Sequence, residues 1–346
     1  MGRRIAGVAA ASSAGSALGL LAAPAPALAH EKWFTDPALH QTDWGLVLSG
    51  RTALALATGA LALALFVFLQ RLIGDPYWPR LPFFARMARG DMTLLAVQTA
   101  IALIYMGVRL TLFAPQLALP RSPLGALLAA LEVGIAFTFI TGLFDRAGAL
   151  ALLALGLPVL VMFSPLDLLQ QAQYAGVAAA VFLVGRTGEA ERPHPPLAAA
   201  AWVWEAAWGA RGVAALRVLA GVAILSVALA DKVWNPTLGE AFLAEHPGFN
   251  VFRLVGLGGV SDATFVLVAG AVETAIGLLL IAGLLTRVVI LVMLVPFNLT
   301  VPFLPAVEMI GHLPIFGLMY LLLVHGAGGG STKLREHKVP TEGGPR

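Results

Sequence analysis

Residues 272–287 read VETAIGLLLIAGLLTR, and the fold follows from this stretch. Glu273 stands near its start and Thr286-Arg287 at its end; apart from Thr274 everything between is apolar or small. Extended upstream to residue 264, the run reaches the ~20 residues that cross a bilayer as a helix. The stretch has an echo at residues 131–146, LEVGIAFTFITGLFDR. Glu132 and Glu273, Gly142 and Gly283, and Arg146 and Arg287 each lie 141 residues apart, as do Asp167 and Glu308, and Gly176 and Gly317. Acids, glycines and an arginine at one offset indicate an internal duplication.

The composition agrees. Of 346 residues, 59% are hydrophobic and 12% charged, with a mean hydropathy of +0.85. A soluble domain carries roughly 25% charged residues, so most of this chain is solvated by lipid. The net charge of +3 reflects loop asymmetry and not a nucleic-acid surface. The absence of cysteine excludes disulfides, thiol redox chemistry and thiolate metal sites on the chain.

Residues 1–29 have the form of a secretory signal: Arg3 and Arg4, an apolar run, then Ala27-Leu28-Ala29 as a small-x-small cleavage site. Residues 30–44 form a periplasmic segment, HEKWFTDPALHQTDW, in which Lys32 and Trp33 read as interfacial anchors. Hydropathy places spans at 45–73, 92–113, 124–144, 147–163, 168–184, 213–230, 264–284, 288–304 and 309–324. They are helices, because a backbone in lipid must satisfy its own hydrogen bonds. The fold class expected is an all-α polytopic membrane protein: an extra N-terminal span, then two tandem four-helix repeats at 91–186 and 211–325. Residues 187–210 form a cytoplasmic linker with a short surface helix around Trp202, Trp204 and Trp208, and 326–346 a disordered cytoplasmic tail.

Loop charges give the orientation. Arg71, Arg80, Arg86, Arg89, Arg186, Arg192 and Arg211 fall on one side together with the basic tail, against Lys32, Arg121, Lys232 and Arg253 on the other. By the positive-inside bias the mature N-terminus is periplasmic and the C-terminus cytoplasmic, in a bacterial inner membrane. Four spans per repeat make the repeats parallel, related by an axis along the membrane normal.

An acid within a span is costly, and it calls for a partner. Arg217 is the expected partner of Glu273, and Arg109 that of Glu132, each from the preceding span and each able to act as a packing pair. Glu308 and His312 stand at i and i+4 at the start of the last span, suited to proton transfer or to a hydrogen bond with a quinone carbonyl, and so are the catalytic candidates. Asp167 and Gln171 take those places in the first repeat, which keeps the acid and lacks the base. Asp231-Lys232 ends the sixth span ahead of Val233-Trp234-Asn235-Pro236. His325 lies at the opposite face from His312, so no haem is expected between them. After signal removal, His30 offers an α-amine and an imidazole as a copper chelate, with His40 the nearest further nitrogen; His246 and His312 are the others on that side.

The second repeat resembles the DoxX/DoxD-like membrane family. The matching residues are Leu216-Arg217-Val218, Gly221, Asp231-Lys232-Val233, Pro236, Glu273, Gly277, Leu278 to Leu280, Gly283-Leu284 and Thr286-Arg287, over about residues 211–324. The resemblance implies a four-helix membrane unit and a redox association, notably with the small subunit of a thiosulfate:quinone oxidoreductase. It makes Glu273, Arg217, Asp231 and Lys232 the candidates for holding a quinone. The function expected is the membrane subunit or partner of a quinone-linked redox assembly, with a redox protein or a second copy as partner and no nucleic acid. The alternatives are a small-solute or ion transporter, a periplasmic copper-handling protein and a scaffold without chemistry.

Overall fold

A computed structural model describes residues 32, 39, 41–75, 77–81, 83, 90–185, 195–254, 256–300 and 306–328; of these, the backbone alone is described at 195–208, 254, 296–300 and 306–308. The chain is an all-α polytopic membrane protein. Its elements are α1 (Gly50–Ile73), α2 (Asp91–Val108), a small hairpin of β1 (Thr111–Leu112) and β2 (Ala114–Ala118), α3 (Pro123–Thr141), α4 (Asp145–Ala154), α5 (Gly156–Met162), α6 (Pro165–Gln170), α7 (Ala172–Val184), α8 (Pro195–Val227), α9 (Pro236–Glu245), α10 (Val251–Leu254), α11 (Asp262–Ala282), α12 (Thr286–Thr300), α13 (Ala306–Gly311) and α14 (Leu313–His325). Among the described residues, six helical segments are long and apolar enough to cross a bilayer: α1, α2, α3, Asp145–Met162, Gly209–Val233 and α11. Three shorter apolar helices, Ala172–Val184, Thr286–Val295 and Leu313–His325, stand where the other three spans are expected.

The helices end where their sequences tell them to. Ser49, Ser122 and Ser261 cap α1, α3 and α11 by accepting a hydrogen bond from the N3 amide. Gly74, Gly142 and Gly283 close the same three helices in the left-handed conformation. Three expected spans are broken instead of continuous. Pro158 lacks the amide hydrogen an unbroken helix needs, and the fourth span divides at Leu155. The fifth divides at Gln171 and the ninth at His312, two residues before Pro314. The helix expected on the surface around residues 202–208 is part of α8, which runs unbroken from Pro195 to Val227.

The packing repeats. In the first repeat α2 lies against α3 and α4 against α7; in the second α8 lies against α11 and α12 against α14. The repeats are joined twice, by α7 on α8 and by α14 on α2. A two-fold axis along the bundle gives this pairing, and the glycines agree. A Cβ on Gly176 of α7 would lie 3.0 Å from Leu216 Cα, and one on Gly317 of α14 would lie 3.0 Å from Leu95 Cα. The last helix of each repeat therefore crosses the first helix of the other at a glycine, the close approach that membrane helices use in place of a hydrophobic driving force. One core runs through both repeats, including Leu95, Leu103, Phe139, Leu216, Leu280 and Leu318. α1 stands outside, packed on α11, where a Cβ on Gly59 would meet Leu278. Its outer side, with Leu54, Leu61, Leu65 and Phe68, is left to lipid.

Candidate functional site

The α8 helix does not end cleanly. At Ala228–Val233 it widens into a π-turn, in which the Trp234 amide donates to Leu229 five residues back. Gly270 of α11 makes room, since a Cβ there would lie 3.0 Å from Lys232 Cβ. Such single-turn widenings recur at functional sites. Here the turn sends the adjacent Asp231 and Lys232 to different partners.

Asp231 faces the first repeat and the N-terminal segment. Its Oδ1 is 2.8 Å from Lys32 Nζ and accepts a hydrogen bond from Gln170 Nε2 at 2.9 Å. Lys32 Nζ also donates to Gln170 Oε1 at 3.0 Å, so the three side chains close a ring, and all three are buried. Lys232 turns to α11, where its Nζ is 3.1 Å from Glu273 Oε2. The Lys232 side chain is buried, whereas that of Glu273 is 34% exposed. The segment before α1 is tied down over this end of the bundle. Asp43 N donates to Trp234 O, Trp234 Nε1 donates to Thr52 Oγ1, and Asn235 Nδ2 donates to Leu39 O. The rings of Trp44 and Trp234 lie 6.2 Å apart, tilted by 38°.

Both expected acid–arginine pairs are absent. Arg217 turns to the other end of the bundle and donates to the carbonyls of Leu280, Ile281 and Ala327. These include carbonyls of the last turn of α11, at the negative end of the helix dipole. Gly283 admits the guanidinium, because a Cβ there would lie 2.9 Å from Arg217 Cζ. Arg109 is exposed, with its guanidinium 4.6 Å above the Tyr105 ring. The chain turns back at Leu110 (φ 55°) into the hairpin, which carries Arg109 outward and brings Phe113 over Glu132. Glu132 is fully buried, and its Oε1 accepts from Phe113 N at 2.9 Å. Its Oε2 has no hydrogen-bond partner among the described residues. Tyr174 holds the other side of the same residue, donating from its hydroxyl to Phe113 O at 3.1 Å.

His312 is buried at the break between α13 and α14. Glu308 lies in α13, with its side chain outside the described residues. His30 and His40, the proposed copper ligands, also lie outside the described residues, as do the signal segment and most of the tail. Among the described residues no three His, Asp or Glu side chains gather as a metal site would require. His325 pairs with Asp91 across the α14 and α2 contact.

Sequence reasoning missed Lys32 and Gln170. Lys32 reads as an interfacial anchor and is instead a buried ion-pair partner, 199 positions from Asp231 in sequence. The one available signal was that Asp231 had no named cation besides its neighbour. No family model matches the chain, and neither the curated proteins nor the solved structures contain one similar to it.

Proposed function

We propose that this chain is the membrane subunit of a quinone-linked redox assembly of DoxX/DoxD-like type, in a bacterial inner membrane. The observation that carries the reading is the half-open pair of Lys232 and Glu273 beside the closed ring of Lys32, Asp231 and Gln170. A quinone head needs a donor for its carbonyl oxygen, and its reduction takes up protons. The Lys232 ammonium supplies the donor, and the part-exposed Glu273 carboxyl exchanges the proton. Asp231, held on two sides, fixes the π-turn that presents Lys232. The chain carries no cysteine and no recognisable cofactor motif, so electrons come from a partner protein.

The test uses the full chain in lipid nanodiscs, titrated with a short-tailed quinone while tryptophan fluorescence is followed. Saturable quenching is expected, with Lys232→Met and Glu273→Gln each weakening it about tenfold, the worth of roughly 1.4 kcal/mol. Absence of saturation, or equal affinities for all three proteins, overturns the reading.

A second reading, ion-coupled transport, is favoured by one observation. The ring of Lys32, Asp231 and Gln170 joins the two repeats and the N-terminal segment, where alternating access would act. Proton flux in liposomes that is lost in Asp231→Asn would select it.

A further inference from the structure

A cavity of about 270 Å³ lies between the first repeat and α8, and none of the charged residues Lys32, Asp231, Lys232 and Glu273 lines it. Leu152, Leu157 and Leu160 of the broken fourth span, Leu168 before the Gln171 break and Leu219 of α8 wall it. Leu157 is 64% exposed, so the mouth opens sideways to the bilayer. Phe113 and Tyr174 form the inner end, stacked 5.0 Å apart. That end is rigid: Phe113 is held in a left-handed conformation (φ 64°), its amide fixed by Glu132 and its carbonyl by Tyr174.

The lining dictates the ligand's chemistry. Gln171 and Tyr174 are its only polar side chains, and no charged side chain reaches it. A charged head would be buried unpaired there, at prohibitive cost. The Tyr174 proton is committed to Phe113 O. Gln171 Oε1 accepts a hydrogen bond from Gln173 Nε2 at 3.2 Å, and among the described residues its own Nε2 donates to no other group. The site therefore offers one amide donor at the polar end of an apolar slot. The slot is somewhat smaller than sites for whole drug-sized molecules, so a ring or chain end enters while the rest stays in the bilayer.

We propose that this lateral cavity binds an uncharged membrane lipid headed by a single oxygen, an alcohol or a carbonyl, whose oxygen accepts from Gln171. The site is separate from Lys232 and Glu273, and it stands or falls independently of either functional reading.

The experiment is photolabelling of the full chain in nanodiscs with a diazirine-bearing long-chain alcohol, the labelled peptides being mapped by mass spectrometry. Matched arms use a methyl ketone, the corresponding fatty acid at neutral pH and a diazirine phospholipid. The alcohol and the ketone are expected to label residues 152–160 and 168–175 saturably, with competition by unlabelled alcohol. Gln171→Leu should weaken the competed labelling about tenfold, as loss of one hydrogen bond in apolar surroundings does. Leu157→Trp blocks the mouth and should abolish it; Leu157 is exposed, so this variant tests the site even if Gln171→Leu does not fold. Labelling as heavy at exposed Leu61 of α1 and unaffected by competitor would overturn the proposal. So would equal, saturable labelling of the cavity by the fatty acid or the phospholipid.

Discussion

Glu132 and Glu273 are the same residue of the two repeats in different company. Glu273 has Lys232, whereas Glu132 has a backbone amide on one oxygen and, among the described residues, no hydrogen-bond partner on the other. The amide bond needs an acceptor and not a charge. Glu132→Gln is therefore expected to leave stability within about 1 kcal/mol, while Glu132→Leu strands the Phe113 amide and costs about 1–3 kcal/mol. Unfolding followed in detergent checks this, and equal losses for the two variants would mean that the charge matters. Asp231 is the opposite case, a carboxylate enclosed by a cation and a carboxamide. Breaking a buried pair by removing one member costs about 3–5 kcal/mol in soluble proteins, largely because the survivor is left unpaired. Lys32→Met is thus expected to lower the melting temperature more than the double change Lys32→Met with Asp231→Leu. Additive losses in that cycle would show the two side chains to be uncoupled.

At the scale of the helices, close approach decides where each element can cross another. At the α8 and α11 crossing backbone meets backbone from both sides: a Cβ on Gly221 would lie 2.7 Å from Gly277 O, and one on Gly277 would lie 2.9 Å from Gly221 O. Backbone cannot give way as a flexible side chain can. Gly221→Val and Gly277→Val are each expected to cost about 1–3 kcal/mol or more by overpacking, whereas Gly134→Val, with open space around its Cβ, should be near neutral. Melting of the three variants distinguishes this from a general intolerance of β-branching in helices. The same level shows what the sequence reveals. Apolar length places the six long and three shorter apolar helices of the described residues, because hydropathy is a property of local composition. The partners of the charges are not legible in that way. They depend on the direction in which a side chain leaves its helix, and the π-turn at Asp231 and the reversal at Leu110 change that direction without any mark in hydropathy. Arg217 stands near the start of its expected span, within reach of mid-depth through its long side chain, yet it turns away from Glu273 because helix-end carbonyls satisfy more of its donors than one carboxylate would.

For the molecule as a whole, charge bears on orientation. The end of the bundle that holds Trp44 and Trp234 carries Lys32, Arg51, Arg109, Arg121, Lys232 and Arg253. Three of these six cations are matched by acids: Lys32 by Asp231, Lys232 by Glu273 and Arg253 by Asp262 at 2.8 Å. At the other end Arg217 and Arg287 are bonded to backbone carbonyls, which do not cancel their charge. The positive-inside bias of the loop residues gives the expectation that the Arg287 end is cytoplasmic. The chain has no cysteine, so single cysteines can report the sidedness directly. Leu48→Cys and Leu257→Cys, both exposed at the Trp234 end, are expected to react with an impermeant maleimide added outside spheroplasts. Leu143→Cys, exposed at the turn between α3 and α4 at the other end, should react only after the membrane is opened. The reverse pattern would invert the orientation. Labelling of all three from one side would contradict the alternation of spans itself, and with it the two-fold relation between the repeats.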